Sequence, residues 1–190
     1  MINFSNYELP LSYNGIIEEH LHCRNSCSVF DVSHMGQLRI HGADRIEFVE
    51  SLVVSDIKEL KTGSSALTVL TNEAGGIIDI SIVTNLKDFT NLVINSMCVE
   101  KDIKYITSEL DNKWQGKDIR LELLENSALI SIQGPKAYKA LQPITAANLN
   151  NLLFMEAVFI EIPYLNETVL VSRNGFTGNK WSLCCRRGWI

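Results

Sequence analysis

Four side chains near the start of the chain are of types that bind zinc in many proteins. They are His20, His22, Cys23 and Cys27, which lie within eight positions of one another. Common zinc sites separate two pairs of ligands by a longer loop, and residues two positions apart on a helix point to different faces. We therefore predict no metal site in this chain.

The segment from Asp31 to Met35 brings together an acid, a hydroxyl and an imidazole, in Asp31, Ser33 and His34. These are the residue types of a catalytic triad. Triad members, however, come from distant chain positions, and the chain has no Gly-x-Ser-x-Gly nucleophile elbow. The segment instead favours a tight turn capped by Asp31 or Ser33.

A pair of glycines, Gly75 and Gly76, precedes Ile77, Ile78 and Asp79. Neither of the common glycine-rich phosphate motifs is present, and the residues that follow predict a strand rather than a helix. Two interpretations stay open. The segment is either an ordinary hairpin with one exposed acid, or a reversal that brings a carboxylate close to a ligand in a partly apolar setting.

The surrounding elements that must position these residues alternate between hairpins and single helices. Apolar spacings of four, three and four predict a helix over Val99–Leu110, and weaker patterns predict helices within Ser12–Arg24, Ala43–Val54 and after Pro135. Short β-type runs predict strands over Gln37–His41, Ala66–Thr71, Ile77–Val83, Asn91–Asn95, Ile119–Leu124, Ala128–Ile132, Ala157–Ile162 and Thr168–Ser172. The fold class predicted is α+β, with mainly antiparallel sheets and flanking helices.

Composition excludes several classes of function. The 190 residues carry a net charge of −5, and no basic cluster occurs before the last few residues, so we expect no nucleic-acid binding. No apolar run is long enough for a membrane span, and we expect no membrane partner. Five cysteines without framework spacing favour a reducing compartment. The first residues show neither a secretory signal nor a mitochondrial presequence.

Six segments in order closely resemble the T protein of the glycine cleavage system, a folate-dependent aminomethyltransferase. The resemblance runs from about residue 2 to Gly178, which predicts one T-protein-like region over residues 1–178 and an unmatched tail over residues 179–190. The segments are Tyr7–Tyr13, Ser28–Gly36, Leu70–Asp79, Glu100–Asp102, Ile132–Pro135 and Ser172–Gly178.

The resemblance implies a reaction, two partners and a compartment. In this family, an aminomethyl group on the lipoyl arm of a carrier protein is split, its carbon passes to tetrahydrofolate as a methylene bridge, and ammonia leaves. The implied partners are therefore tetrahydrofolate and the lipoylated carrier protein. The implied compartment is the mitochondrial matrix.

Carried over position by position, the resemblance also implies a folate site. Met35, Leu67 and Val93 match apolar wall residues, and Asn95 matches a polar group that recognises the ligand. Asp79 matches the first of two consecutive family acids, which makes it the candidate catalytic residue here. The second acid, which the family uses beside the folate nitrogen, is replaced by Ile80. Because Asp79 and Ile80 face opposite sides of a strand, Asp79 cannot replace that second acid without a bulge or slip.

The tail departs from the family after Gly178. Leu183 stands where the resemblance places a folate-contacting glutamate, and we expect the chain to be truncated relative to the family. Weak folate binding and little activity follow as expectations. Two alternatives are a non-catalytic module that binds folate or the carrier protein, and a product whose core does not close, leaving Phe154, Val158 and Ile160 exposed.

Overall fold

The computed structural model describes residues 1–175 and the backbone of residues 182–188. It divides into two units, one formed by residues 1–34 with residues from 126 onward, the other by residues 35–125. The predicted boundary at Gly178 lies outside the described residues. The division into residues 1–178 and 179–190 therefore stays a prediction.

The helices and strands of the two units are as follows. The first unit contains β1 (Ile2–Phe4), β2 (Tyr7–Leu9), α1 (Ile16–Asn25), β3 (Ser28–Asp31), β9 (Ser127–Gln133), α4 (Ala137–Leu141), β10 (Ala157–Ile162), β11 (Glu167–Ser172) and β12 (Ser182–Gly188). The second contains β4 (Gly36–His41), α2 (Arg45–Leu52), β5 (Ser64–Thr71), β6 (Ile77–Asn85), β7 (Phe89–Ile94), α3 (Val99–Lys113) and β8 (Arg120–Leu123).

The second unit is built on one antiparallel sheet, with strand order β5-β6-β7-β4-β8. One face of the sheet is apolar and packs against α2 and α3. Its core includes Leu38 and Leu92 from the strands, Phe48 from α2 and Ile106 from α3, all essentially without solvent exposure. Burial of this apolar area is the main term that holds the unit together.

Gly36 allows the first turn of α3 to lie close to β4. A Cβ atom at this position would meet Val99 Cγ2 at 2.7 Å and Ile94 Cβ at 3.3 Å. A distance below 3 Å is shorter than van der Waals contact, so a larger residue would displace the start of α3. Gly36 thus sets the position of the helix that follows β7.

The first unit contains a second sheet, with strand order β10-β11-β12-β9-β3 and antiparallel pairing throughout. Strand β12 (Ser182–Gly188) lies between β11 and β9, pairing for example Cys184 with both Ser172 and Ser131. The expectation of an unpaired edge after Gly178 is therefore wrong for the described backbone. Ile160 is buried, whereas Phe154 and Val158 are exposed.

The predicted fold class, α+β with mainly antiparallel sheets and flanking helices, is confirmed. Each predicted helix or strand has an observed counterpart, with bounds that shift by a few residues. Strands β1, β2, β3 and β12 were not predicted. In the described part of the chain, no helix is both long enough and apolar enough to span a bilayer.

Candidate functional site

Two predicted folate residues meet at the end of neighbouring strands in the second unit. The Cα atoms of Gly36 on β4 and Ile94 on β7 are ladder partners. Met35 directly precedes Gly36 and Asn95 directly follows Ile94, so both lie at the same end of the β4–β7 pair. Met35 is half-buried and Asn95 is exposed. The sheet therefore brings together a flexible apolar side chain and an amide.

The other two predicted wall residues lie in one row across the same sheet. Leu67 pairs with Ile82, Ile82 pairs with Val93, and Val93 pairs with Gln37 of β4. Directly paired residues share a face, so Leu67 and Val93 lie on the face away from the α2–α3 core. Leu67 is 61% exposed there, and Val93 is half-buried. We call this surface the open face.

Ile80 is on the open face and Asp79 is not. Ile80 pairs with Val69, and it is 52% exposed. Asp79 pairs with the core residue Leu70 and is only 7% exposed. A register shift between Leu70 and Thr71 leaves Ile78 as an extra residue, but it precedes Asp79 and leaves the alternation of Asp79 and Ile80 intact. The structure thus brings Asp79 into contact with the core and α3, opposite Leu67 and Val93.

The hairpin before Asp79 has ordinary turn chemistry. Asn72 Oδ1 accepts hydrogen bonds from the backbone N–H groups of Ala74 and Gly76, at 3.0 and 2.8 Å. Gly75 has φ +77°, a conformation that favours glycine. The hairpin is confirmed, since β5 and β6 pair antiparallel on either side of the glycines. The exposed acid expected in the first interpretation is wrong, because Asp79 is buried. The second interpretation, a carboxylate close to a ligand, stays a prediction.

Asn95 connects the buried carboxylate to the end of the open face. Its backbone N–H donates to Asp79 Oδ2 at 3.1 Å, and its side-chain Nδ2 donates to Asp79 Oδ1 at 2.8 Å and to the Ile80 carbonyl at 3.0 Å. Asp79 therefore holds both the backbone and the side chain of Asn95. Because Nδ2 points to these two acceptors, the amide Oδ1 is turned away from them.

Three further residues surround Asp79 on the α3 side. One carboxylate oxygen of Asp79, one of Asp102 and the Sγ of Cys98 all lie within 4.8 Å of one another. Lys101 Nζ donates to the carbonyl of the bulge residue Ile78, and lies 3.6 Å from Cys98 Sγ and 4.0 Å from Asp102 Oδ1. Two acids and a thiol can bind a divalent cation, but an ammonium group already occupies part of this neighbourhood.

The two carboxyl groups have pKa values shifted in opposite directions. Burial raises the pKa of Asp102, and the hydrogen bond and charge of Asp79 raise it further, to about 7, although Lys101 opposes this. Burial also acts to raise the pKa of Asp79, but hydrogen bonds from Asn95 and Asp102 outweigh it, and its pKa lies below the ordinary value. Burial, followed by the charge of Asp79, raises the pKa of the Cys98 thiol.

Comparison of the sequence with models of known protein families identifies the family of this chain. The sequence model described as the GCVT N-terminal domain matches residues 1–186. This chain belongs to the GCVT N-terminal domain family.

Relatives in this family are aminomethyltransferases. The chain is 43% identical over 183 residues both to the mitochondrial aminomethyltransferase of Dictyostelium discoideum and to that of Homo sapiens. These matches cover 94% of this chain, and 45% and 44% of the relatives. The crystal structure of glycine cleavage system aminomethyltransferase T from Bartonella henselae matches with a TM-score of 0.85 and 29% identity, over 97% of this chain and 48% of that one. The chain thus spans less than half the length of the curated relatives.

The candidates Asp31, Ser33 and His34 make contacts within the first unit. Asp31 Oδ1 accepts a hydrogen bond from the backbone N–H of Ser33 at 2.9 Å, which confirms the capped turn. Ser33 Oγ accepts from Leu129 N–H at 3.0 Å, and the His34 ring lies 5.6 Å from that of Phe4.

The four zinc-type residues line a groove of about 960 Å³ in the first unit, together with apolar residues of α1 and β3. His22 Nε2 lies 3.0 Å from the Cys27 carbonyl oxygen, and Cys23 is buried. The prediction that the chain binds no metal stays a prediction.

Sequence reasoning missed Asp102, Lys101 and Cys98 as part of the site. One signal could have found Asp102. It lies three residues after Val99 and four before Ile106, so it falls on the apolar stripe that predicted α3. An acid on a buried helix face requires a partner, because an unpaired buried charge is costly.

Proposed function

We propose that this chain supplies the tetrahydrofolate-binding sheet of an aminomethyltransferase of the glycine cleavage system. One observation carries the proposal. Met35, Leu67 and the segment from Val93 to Asn95 are far apart in sequence, yet Leu67 and Val93 share one row of the open face, and Met35 and Asn95 lie at one end of the same sheet. The family match over residues 1–186 supports it independently.

The open face offers the contacts that a flat heterocycle requires. Leu67 and Val93 provide an apolar surface on which a pterin ring can lie, and Met35 adds an adaptable side chain at the end of the strands. Asn95 provides a polar amide group at the end of the strands. Within the described residues its Oδ1 accepts no hydrogen bond, so that oxygen is available to an N–H donor on the ring edge.

The proposed reaction has a second partner. A lipoylated carrier protein would bring the aminomethyl group, whose carbon passes to tetrahydrofolate as a methylene bridge while ammonia leaves. The mitochondrial names of the relatives support the mitochondrial matrix as the compartment of this chain.

Ile80 lowers the expected rate. The proposal places position 80 beside the folate nitrogen, where a carboxyl group can assist proton transfer and the hydrocarbon side chain of isoleucine cannot. General acid–base assistance contributes roughly 10²- to 10⁴-fold to a rate. Asp79 faces the core, 7% exposed, and does not replace it. We therefore expect little methylene transfer. The expectation of weak tetrahydrofolate binding rests on Leu183, which stands where the resemblance places a folate-contacting glutamate.

A second candidate function follows from the same residue. Ile80 extends the apolar surface of Leu67 and Val93, and more apolar contact supports binding without chemistry. The chain would then be a non-catalytic module that binds folate or the carrier protein.

The two functions are separated by measuring tetrahydrofolate binding and methylene transfer side by side. Calorimetric titration gives the affinity, and formation of methylene-tetrahydrofolate from the aminomethylated carrier gives the rate. The enzyme proposal expects saturable binding with slow transfer, which accelerates in Ile80→Asp. Binding without transfer in either protein favours the non-catalytic module. Absence of tetrahydrofolate binding in both proteins rejects the enzyme and the folate-binding module.

A further inference from the structure

We infer that Asp102 is a positioning residue: its carboxyl group keeps its proton and donates a hydrogen bond to Asp79, so that Asp79 stays the anion that holds Asn95. The inference deepens the proposed function, since it rests on tetrahydrofolate being the ligand that Asn95 recognises. It concerns a residue on α3 that lies behind the sheet, away from the open face.

The burial of the pair requires a counter-charge or a proton. Asp102 is 0% exposed and Asp79 is 7% exposed. As a carboxylate, Asp102 accepts no hydrogen bond on either oxygen from any described residue. Two adjacent carboxylates in a poorly solvated site repel each other strongly, and Lys101, 4.0 Å from Asp102 Oδ1, supplies only one positive charge for two acids. One proton on the pair removes the repulsion.

The hydrogen bonds determine which acid holds the proton. Asp79 accepts from the backbone and the side chain of Asn95, and both bonds favour its anionic form. Asp102 accepts nothing comparable among the described residues and lies deeper. The proton therefore belongs on Asp102, in agreement with the directions of the two pKa shifts.

The charged and titratable neighbours of the pair are few. Lys101 on α3 lies 4.0 Å from Asp102 Oδ1, and Cys98 on the preceding turn has a raised pKa, so that its thiol is neutral near pH 7. On the core face of the sheet, where Asp79 and Asp102 lie, the described side chains of β4, β5 and β7 are uncharged. Lys101 acts to lower the pKa of Asp102, but burial and the neighbouring Asp79 outweigh it. Its ammonium group also repels a cation that approaches the pair.

The consequence for ligand binding depends on pH. When Asp102 ionises, its charge repels Asp79, and the grip on Asn95 loosens. We expect the affinity for tetrahydrofolate to fall roughly tenfold as pH rises through the pKa of Asp102. A tenfold loss corresponds to the free energy of about one charge-assisted hydrogen bond. Asp102→Asn keeps an N–H donor for Asp79 and cannot ionise, so its affinity should not vary over that range. Asp102→Ala removes the donor and should bind weakly at every pH.

The experiment follows the Asn95 backbone and side-chain N–H signals by NMR from about pH 5.5 to about pH 8.5, with and without tetrahydrofolate. In the unmodified chain these signals should titrate with a midpoint near the Asp102 value of about 7. In Asp102→Asn they should stay constant. This variant keeps the size of Asp102, so the test remains available if Asp102→Ala does not fold.

Three results would overturn the inference. The first is an Asn95 titration that persists unchanged in Asp102→Asn, and the second is no titration in the unmodified chain. The third is a thiolate-to-cobalt absorption band on adding Co²⁺ that disappears in Cys98→Ser, because a cation rather than a proton would then join the acids. If Asn95 titrates as expected but no variant binds tetrahydrofolate, the proposed function fails and the positioning role stands.

Discussion

Restoring an acid at position 80 should raise methylene transfer without disturbing the sheet. Ile80 is 52% exposed on the open face and pairs with Val69. Replacing a half-exposed isoleucine removes about 1 kcal/mol of apolar burial, and an aspartate in a strand costs up to about 1 kcal/mol more. We therefore expect Ile80→Asp to lower the free energy of unfolding by about 1–2 kcal/mol, which a stable domain tolerates.

The expected gain in rate is much larger than this loss. If the new carboxylate reaches the folate nitrogen, transfer should accelerate roughly 10²- to 10⁴-fold. The assay measures methylene-tetrahydrofolate formed from the aminomethylated carrier, and calorimetry measures tetrahydrofolate affinity separately.

Ile80→Asn is the matched control, because it has the same size and polarity change without an acid. We expect it to match Ile80→Asp in stability and to match the unmodified chain in rate. An equal rate for Asp and Asn at position 80, with tetrahydrofolate bound in both, would refute the role assigned to this position.

Further predictions concern other parts of the site. Burial raises the pKa of Asp102 from 3.8 to about 7, so its contribution to stability should decline as pH rises from about 4 to 7. The decline is at most about 4 kcal/mol. Denaturant titrations at about pH 5 and about pH 8 should show it in the unmodified chain and not in Asp102→Asn. Gly36→Ala should cost about 1–3 kcal/mol by clashing with Val99, and a denaturant midpoint equal to that of the unmodified chain would contradict the close packing. Leu67→Lys should weaken tetrahydrofolate binding but change the thermal unfolding midpoint by only a few degrees, since Leu67 is 61% exposed. An unchanged affinity would show that Leu67 is not part of the folate site.

Elements with a strong local pattern were predictable from the sequence. The helix predicted over Val99–Leu110 is observed as Val99–Lys113, because its apolar spacing matches the period of an α-helix. The alternation argument for Asp79 and Ile80 also holds, since the bulge falls at Ile78 and not between them. Local periodicity predicts the helix, and strand geometry predicts that the side chains of Asp79 and Ile80 face opposite sides of the sheet.

Features that depend on distant partners were not predictable in this way. Strand β12 (Ser182–Gly188) has no apolar alternation, and its strand conformation comes from pairing with β11 and β9. The contact of Asp79 with Asp102 joins a hairpin to a helix, and no local pattern specifies that distance. The resemblance named Asn95, but only the hydrogen bonds to Asp79 show how its amide is oriented.

Mapping tetrahydrofolate onto the sheet by NMR tests the central claim most directly. Titration into isotope-labelled protein should shift the signals of Met35, Leu67, Val93 and Asn95 together, with one dissociation constant. The first-unit groove lined by Leu11, Tyr13 and Ile16 should be unaffected and serves as the internal control. Shifts confined to that groove, or no shifts at saturating tetrahydrofolate, would contradict the assignment of the open face as the folate site.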